Sequence, residues 1–563
     1  MFAIIRRLAT TSISNPRSYA SFAVRDILRE YVEDTGTLLN RFSKHIAMER
    51  YKCEEHVLPA ITIRYSDFFP ITDERYFRRT VQKTPATQLP ALIIHASTYK
   101  SNAAPPMYAT TLNALDAQST ALLAEMDTST VLETLYAFLF LMPNWLRRID
   151  FYHAAMRRLA NENCNSKERF LQICFYMSFY KQQKGSYLET FLATHLEQHL
   201  SKLTPMDLAL LSYAVYKTST VIRGVAREQY EAALVAATLN LKTTDPGADA
   251  LLVSYVKAMR LQRVHNEEIC EQLQLICLDP AQLAQLQPRG LAHIFAYFAE
   301  TQWDQPDCMQ ALVARLLKYK PSELRAKDLA TFIWSCAQLN CTLSASELKQ
   351  LEIWALRKLD QGEYDRFADQ LVDTSLSLCM LGQYSKQLFD GAEELKAQQQ
   401  LPQRAQPKVD SRLIVLRTAV AIEQPSWTDI KREQVFKELG RAPAYLLNQR
   451  EDLTAYSKQL TADAEVEGVD LVCPIVGINL PRLRVQTLGE QSVIYFVELL
   501  TTQQTLKFSK KPTSLLRFKQ RLLQALGQRV VVLNSGEMVS NAQALQQLLE
   551  QTSVEQTETR AVI

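Results

Sequence analysis

The 563-residue chain is poor in the features that usually announce an activity. Its most apolar stretch, Leu135–Met142, falls far short of the roughly 18 to 20 residues needed to cross a bilayer, so no membrane-spanning helix is expected. Its ten cysteines include no CxxC pair, and the nearest two, Cys336 and Cys341, fall on an expected helix and the turn after it. That spacing argues against a disulfide framework or a zinc site. No GxGxxG loop, His-Arg-Asp loop or Asp-Phe-Gly motif is present to hold a nucleotide and magnesium as a protein kinase does; Phe389-Asp-Gly391 is a scrambled near-match in a helical region. A Walker loop is missing too, and none of the eight histidines accompanies a nucleophile motif. Acidic residues are missing from one long stretch near the C-terminus: none occurs between Glu498 and Glu537.

That interval holds Lys507, Lys510, Lys511, Arg517, Lys519, Arg521 and Arg529, on a chain whose formal net charge is only +3. A local field of one sign calls for a partner of the other, and a polyphosphate backbone is the commonest. The same region reads as a strand-helix-strand unit. Val493–Leu500 and Arg529–Leu533 are short, β-branched-rich apolar runs of the kind buried on both faces of a sheet. Between them Leu515, Phe518, Leu522, Leu523 and Leu526 share one arc of a helix that Gly527 ends. Arg517 and Arg521, four residues apart, fall on the polar side. Lys519 falls in the apolar arc: either its stem packs on the sheet while its head reaches the rim, or it reaches Glu498 and shares a site with that carboxylate.

Upstream, from about residue 130, the sequence is periodic. Seven segments led by Leu132, Leu171, Leu208, Leu251, Leu291, Leu329 and Leu371 carry apolar or small residues at offsets of three, four and seven, at intervals of roughly 37 to 43 residues. A second amphipathic stretch follows each one, which predicts stacked helix pairs, a repeat solenoid with an extended surface for single-stranded RNA or for proteins. Gln398–Pro407 reads as a linker, and Val409–Thr461 as a further helical segment with Trp427 and Tyr445 in its core. At the other end, the first 25 residues carry Arg6, Arg7, Arg17 and Arg25, several Ser and Thr, and no acid before Asp26. That is the composition of a mitochondrial transit peptide, and Arg17-Ser-Tyr-Ala20 resembles a matrix-protease site that would leave Ala20 first.

Leu515–Val531, preceded by Val497-Glu-Leu-Leu500 and Val469-Asp-Leu-Val472, resembles the RAP domain, in particular as it occurs in the FAST kinase domain family of mitochondrial proteins. The resemblance covers about the last hundred residues. It implies a mainly α protein in which a helical-pair repeat solenoid precedes a small C-terminal α/β RAP domain similar to PD-(D/E)xK nucleases. The expected organisation is a transit peptide at 1–25, a helical or irregular region at 26–129, the solenoid at 130–397, a linker at 398–408, a second helical segment at 409–461, the RAP domain at 465–551 and a tail at 552–563.

The resemblance also implies a matrix-located RNA-binding protein that controls processing or stability of mitochondrial transcripts, without catalysis and without a cofactor. Lys507, Lys510, Lys511, Arg517, Arg521 and Arg529 would be its RNA-binding residues, and RNA-granule or mitochondrial ribosome proteins its further partners. Two alternatives stand beside it. One is a ribosome-assembly scaffold. The other is a Mg²⁺-dependent endoribonuclease in which Asp470 and Glu498 take the carboxylate positions and Lys519 replaces the nuclease lysine, where this chain has Leu500. The family's Glu-Trp is Glu537-Met538 here, and its aromatic after the helix glycine is Gln528.

Overall fold

Several helices start where the sequence supplies a cap, and several stop where one residue turns left-handed. Thr204 and Ser344 each form a reciprocal capping box, with Asp207 and Glu347 respectively, and Pro occupies the first turn at Pro205, Pro288 and Pro306. Ser219, Arg263, Gln302 and Asn340 follow the helices Pro205–Thr218, Ala248–Gln262, Pro288–Thr301 and Ala326–Gln338 at positive φ (55°, 55°, 58° and 51°). The same punctuation recurs at these four helices.

The computed structural model describes residues 74–98, 105–141, 146–179 and 187–534, apart from 244, 246, 366, 399–405 and 489–491. The expected transit peptide, most of the linker, Glu537-Met538 and the tail lie outside the described residues. Within them the protein is mainly helical, with 23 α-helices and one four-stranded mixed sheet near the C-terminus. No helix among the described residues is long and apolar enough to cross a membrane. The chain divides into two compact units, Met1–Ile269 and Cys270–Ile563.

In the first unit, helix Leu89–Thr98 packs on Thr128–Leu141, Lys167–Met177 on Pro205–Thr218, and the latter on Ala248–Gln262. All seven leading leucines lie on helices, and six are buried. The exception is Leu251, half-buried, where Leu252 takes the core position and the period is displaced by one residue.

Six helices of the second unit frame the site: α1 (Pro288–Thr301), α2 (Ala326–Gln338), α3 (Ala368–Met380), α4 (Gln406–Glu423), α5 (Glu451–Thr461) and α6 (Ser514–Ala525). α1 to α4 form a row, each packed on the next, and α6 lies against α2, α3 and α4. The segment after α4 is only briefly helical before α5. There Trp427 is half-buried with its ring edge-on to Tyr384, but Tyr445 is exposed, contrary to its expected place in a core.

The sheet runs in the order β1 (Val466–Val472), β2 (Arg482–Thr487), β3 (Ile494–Leu500), β4 (Arg529–Asn534). The first two pairings are antiparallel; β3 and β4 are parallel, joined through α6 as the strand-helix-strand reading requires. β3 is buried nearly throughout, as its apolar run predicts. Its odd face, with Leu483, Val485, Tyr495, Val497, Leu499, Val531 and Leu533, packs on Leu453, Tyr456 and Leu460 of α5. Leu460→Ala is therefore expected to cost about 2–5 kcal/mol, the range for truncating a fully buried leucine. A shift in urea unfolding of the full chain worth less than about 1 kcal/mol would show that α5 is not part of this core. The even face of the sheet carries polar side chains and meets α6.

Candidate functional site

On the even face, polar groups are buried. Register pairs Leu483 with Val497, which sets Arg482 across from Glu498. α6 adds Lys519 above them: its buried residues are Ser514, Leu516, Phe518, Lys519, Leu522 and Leu523, while Leu515 turns to the surface. Of the two expectations for Lys519, the geometry realises the shared site, because the side chain is fully buried and its Nζ donates to Glu498 Oε2 at 2.6 Å and to the Leu480 carbonyl at 3.1 Å. Arg482 Nη2 donates to the same Oε2. Among the described residues, Arg482 Nε and Nη1 and Glu498 Oε1 have no hydrogen-bond partner.

Two cations thus share one carboxylate out of reach of water. Burial alone would raise the Glu498 pKa, but Lys519 and Arg482 outweigh it and hold the carboxyl below its usual range. Burial, reinforced by the Arg482 charge, pushes Lys519 down to about 7. Burial also lowers Arg482, although a guanidinium remains protonated at any ordinary pH.

Asp470 is placed elsewhere. It pairs across β1 and β2 with Arg484, 3.3 Å away, in a half-exposed cluster where Arg484 also binds Glu438 through Nε and Nη2 (2.9 and 2.6 Å). Strand spacing puts its Cα on the order of 12 Å from that of Glu498. The pair of carboxylates that a nuclease-type metal needs is therefore not assembled, and the Glu498 oxygen on offer already faces two protein cations. Among the described residues, no group of three or more His, Cys, Asp or Glu side chains converges as ligands. These residues do not fit a bound Mg²⁺.

The basic stretch lies along one end of the helical row. Gln302, Gln338 with Asn340, and Cys379 with Met380 mark the C-terminal ends of α1, α2 and α3, where backbone carbonyls lack intrahelical partners and the helix dipole is negative. Each end receives part of the acid-free segment. The Lys507 N–H donates to the Gln302 carbonyl at 3.0 Å, and Gln302 Nε2 to the Gln503 carbonyl at 2.9 Å. Asn340 Nδ2 donates to the Pro512 carbonyl at 2.8 Å and Ser514 Oγ to Gln338 Oε1 at 3.0 Å. Asp304, buried just beyond α1, accepts the N–H groups of Phe508 and Ser509 at 2.7 and 3.2 Å.

Arg521 makes the firmest of these attachments. Its Nε and Nη2 donate to the two Glu423 oxygens, 3.0 Å each, a bidentate pair; Nη1 reaches the Met380 carbonyl at 3.0 Å and Nη2 the Cys379 carbonyl at 2.6 Å. The Tyr384 hydroxyl donates to Glu423 as well, and burial together with that neighbouring carboxylate pushes its pKa far up. Arg521 is thus committed to the protein itself and leaves the set of expected RNA-binding residues.

Of the remaining five, Lys507, Lys510 and Lys511 share one loop and Arg517 lies one turn into α6. Arg529 begins β4, about 16 Å of strand away from the end of β4 that approaches this loop. No carboxylate lies within ion-pair distance of Lys510, Lys511, Arg517 or Arg529 among the described residues. Lys507 sets its Nζ 4.6 Å from the Trp303 ring centre.

Two features of this region were missed from the sequence. One is β2 with Arg482, although Leu483 and Val485 alternating with Arg482, Arg484 and Gln486 is the period-two signal of a strand. The other is a cleft of about 390 Å³ between the loop after β3 and the end of α1, lined by Gln302, Thr502, Thr505, Lys507, Lys510 and Asn534 among others. In comparisons with known proteins, the chain matches no family profile and no curated sequence.

Proposed function

We propose that this protein is a non-catalytic RNA-binding factor of the mitochondrial matrix that controls processing or stability of mitochondrial transcripts. The observation that carries the reading is the exposed group Lys510, Lys511 and Arg517, without carboxylate partners and set on a loop and helix tied to α1, α2 and α3. Cations held in place without carboxylate partners among the described residues are what a phosphate backbone needs. The helix pairs act in this reading as a repeat solenoid that grips single-stranded transcript, and the C-terminal domain, similar to RAP domains with their nuclease-like fold, clamps it. RNA-granule or ribosomal proteins of the organelle are the partners this role implies. The engagement of Glu498 by Arg482 and Lys519, with Asp470 held apart, supports binding over cleavage.

The test is the salt dependence of binding. Charge reversal at Lys511 and Arg517, Lys511→Glu with Arg517→Glu, is expected to weaken binding of a single-stranded oligoribonucleotide by the full chain about tenfold or more. It should also flatten the plot of log K against log salt by about 0.7 for each phosphate that is no longer neutralised. Stability should change by no more than about 0.5 kcal/mol, because both side chains are exposed and unpaired. Unchanged affinity and slope would refute the assignment of this face, and recovery of the mature protein from the cytosol alone would refute the compartment.

A further inference from the structure

The four helices that stop at a left-handed residue share one closing turn, and in one of them the turn brings two thiols together. The N–H of the residue beyond the left-handed position returns to the carbonyl five residues back, which sets those two side chains against each other. The pairs are Val215 with Thr220 (3.0 Å from O to N), Met259 with Val264 (3.0 Å), Phe298 with Trp303 (2.9 Å) and, at the end of α2, Cys336 with Cys341 (3.0 Å). A backbone bond of that length keeps the Cα atoms of the two cysteines within about 7 Å, roughly the span that a disulfide bridges. The thiols are in hydrogen-bond contact, and Cys341 Sγ lies 3.6 Å from Met309 Sδ.

The two sulfurs differ in access. Cys336 is fully buried, while Cys341 keeps 8 % of its surface; Cys277 and Cys308, also in contact, are closed at 1 % each. Burial and the adjoining Cys341 push the Cys336 thiol well up, so it holds its proton until Cys341 has reacted. A disulfide carries no charge, so the burial that opposes a thiolate does not oppose the product. The turn between the cysteines also holds the basic loop. Gln338 Oε1 accepts from Ser514 Oγ at 3.0 Å, and Asn340 Nδ2 donates to the Pro512 carbonyl at 2.8 Å, directly after Lys510 and Lys511. Sulfurs in contact must close to about 2.05 Å to form a bond. Cys336 is fixed within α2, so the movement falls on Cys341 and on Asn340 beside it.

We propose that Cys336 and Cys341 are a site of reversible oxidation by hydrogen peroxide, and that their disulfide loosens the loop carrying Lys510 and Lys511. Cys341, as thiolate, attacks one peroxide oxygen; the O–O bond breaks, Cys341 becomes a sulfenic acid, and the released hydroxide takes up the proton to give water. The Cys336 sulfur then attacks the sulfenic sulfur. The S–S bond forms, the S–O bond breaks, and the hydroxyl leaves with the Cys336 proton as a second water. Two thiols are oxidised and one peroxide is reduced, and a small dithiol reverses the bond by exchange. A single reversible bond of this kind is what a reducing compartment permits, where a permanent disulfide framework is not. Only its effect on RNA rests on the RNA-binding reading; the bond and the loosening stand apart from it.

The experiment treats the full chain with hydrogen peroxide, blocks remaining thiols with an alkylating reagent and maps tryptic peptides. Both cysteines fall in the peptide 328–349, which has no internal cleavage site. It is expected to lose a pair of hydrogen atoms, to resist alkylation, and to recover both thiols in dithiothreitol. Hydrogen exchange at 506–513 should quicken in the oxidised protein and return on reduction. Affinity for a single-stranded oligoribonucleotide should fall about threefold or more, the cost of ordering one long side chain anew. Cys336→Ala and Cys341→Ala, tested separately, should each make exchange and affinity indifferent to peroxide, which separates this pair from the half-exposed Cys473. Alkylation of both cysteines after peroxide would overturn the site and leave them an apolar pair like those of the other turns. A bridge that leaves exchange at 506–513 unchanged would overturn its coupling to the loop. A bridge with quickened exchange, in a protein that binds no RNA in either state, would uphold the thiol pair and refute the RNA reading.

Discussion

Glu498→Gln is expected to cost about 3–5 kcal/mol of unfolding free energy, whereas Lys519→Met is expected to be neutral or stabilising by about 1–4 kcal/mol at pH 6. The opposite signs follow from counting charges. Removing the carboxylate leaves Arg482 and Lys519 facing each other in a buried site, which is the costly outcome. Removing Lys519 leaves a one-to-one pair of Arg482 and Glu498, and the only other bond removed is the donation to the Leu480 carbonyl. Urea unfolding of the full chain reads both. Equal destabilisation by the two substitutions would show that the cluster is not a one-carboxylate, two-cation site.

The pH dependence has a definite sign. An unfolded chain keeps a lysine proton up to about pH 10, while the folded protein gives up the Lys519 proton at about 7. Between those values the unfolded state binds more protons, so this group makes stability rise with pH, by at most about 1.4 kcal/mol per pH unit. Its favourable contribution is complete only above about pH 10 and is lost as pH falls through 7. Glu498, held below the usual carboxylate range, contributes above its unfolded value of about 4 and loses that contribution as pH falls through its lower folded value. The wild-type protein should therefore gain stability relative to Lys519→Met between pH 6 and 9. Parallel curves for the two proteins would rule out titration of Lys519 in that window.

Arg521→Ala is the second large expectation, a loss of about 2–3 kcal/mol. The substitution strands a largely buried Glu423 carboxylate and uncovers the Cys379 and Met380 carbonyls at the end of α3. Arg521→Lys should recover only part of this, because an ammonium cannot bridge two carboxylate oxygens and two carbonyls with a planar fork. Hydrogen exchange reports the location of the loss: faster exchange should appear in α6 and at the start of β4, and α1 should stay protected. Uniform acceleration across the second unit would mean that the latch is not local.

The strand-helix-strand unit was legible because its signals are short-range. β3 and β4 are continuous apolar runs, and Gly527, at φ 78°, closes α6 with Gln528 N–H returning to the Leu523 carbonyl, a Schellman turn. The angular position of Lys519 was legible for the same reason, since helical geometry places it in the apolar arc whatever surrounds the helix. β2 was hidden because two arginines interrupt its apolar residues, and an arginine is read as surface until a buried carboxylate is found for it. Leu515 was read as core and Leu516 was not, a one-residue error that nothing local corrects.

The partner of each cation could not be read locally. Glu423 is 98 residues from Arg521, and the carbonyls at the end of α3 are more than 140 away, so no window of sequence contains both sides of the contact.

The linear chain determined the segments: which stretches coil, which extend, where they stop, and that positive charge gathers between Glu498 and Glu537, because periodicity, caps and composition act over a few residues. Only the tertiary structure decided what each cation does. It buried Lys519 beside Arg482, attached Arg521 to Glu423 and the end of α3, parted Asp470 from Glu498, and left Lys510, Lys511 and Arg517 outside. The physical reason is that a charge acts on whatever lies within a few ångströms of it, and which groups come that close is settled by packing between distant elements.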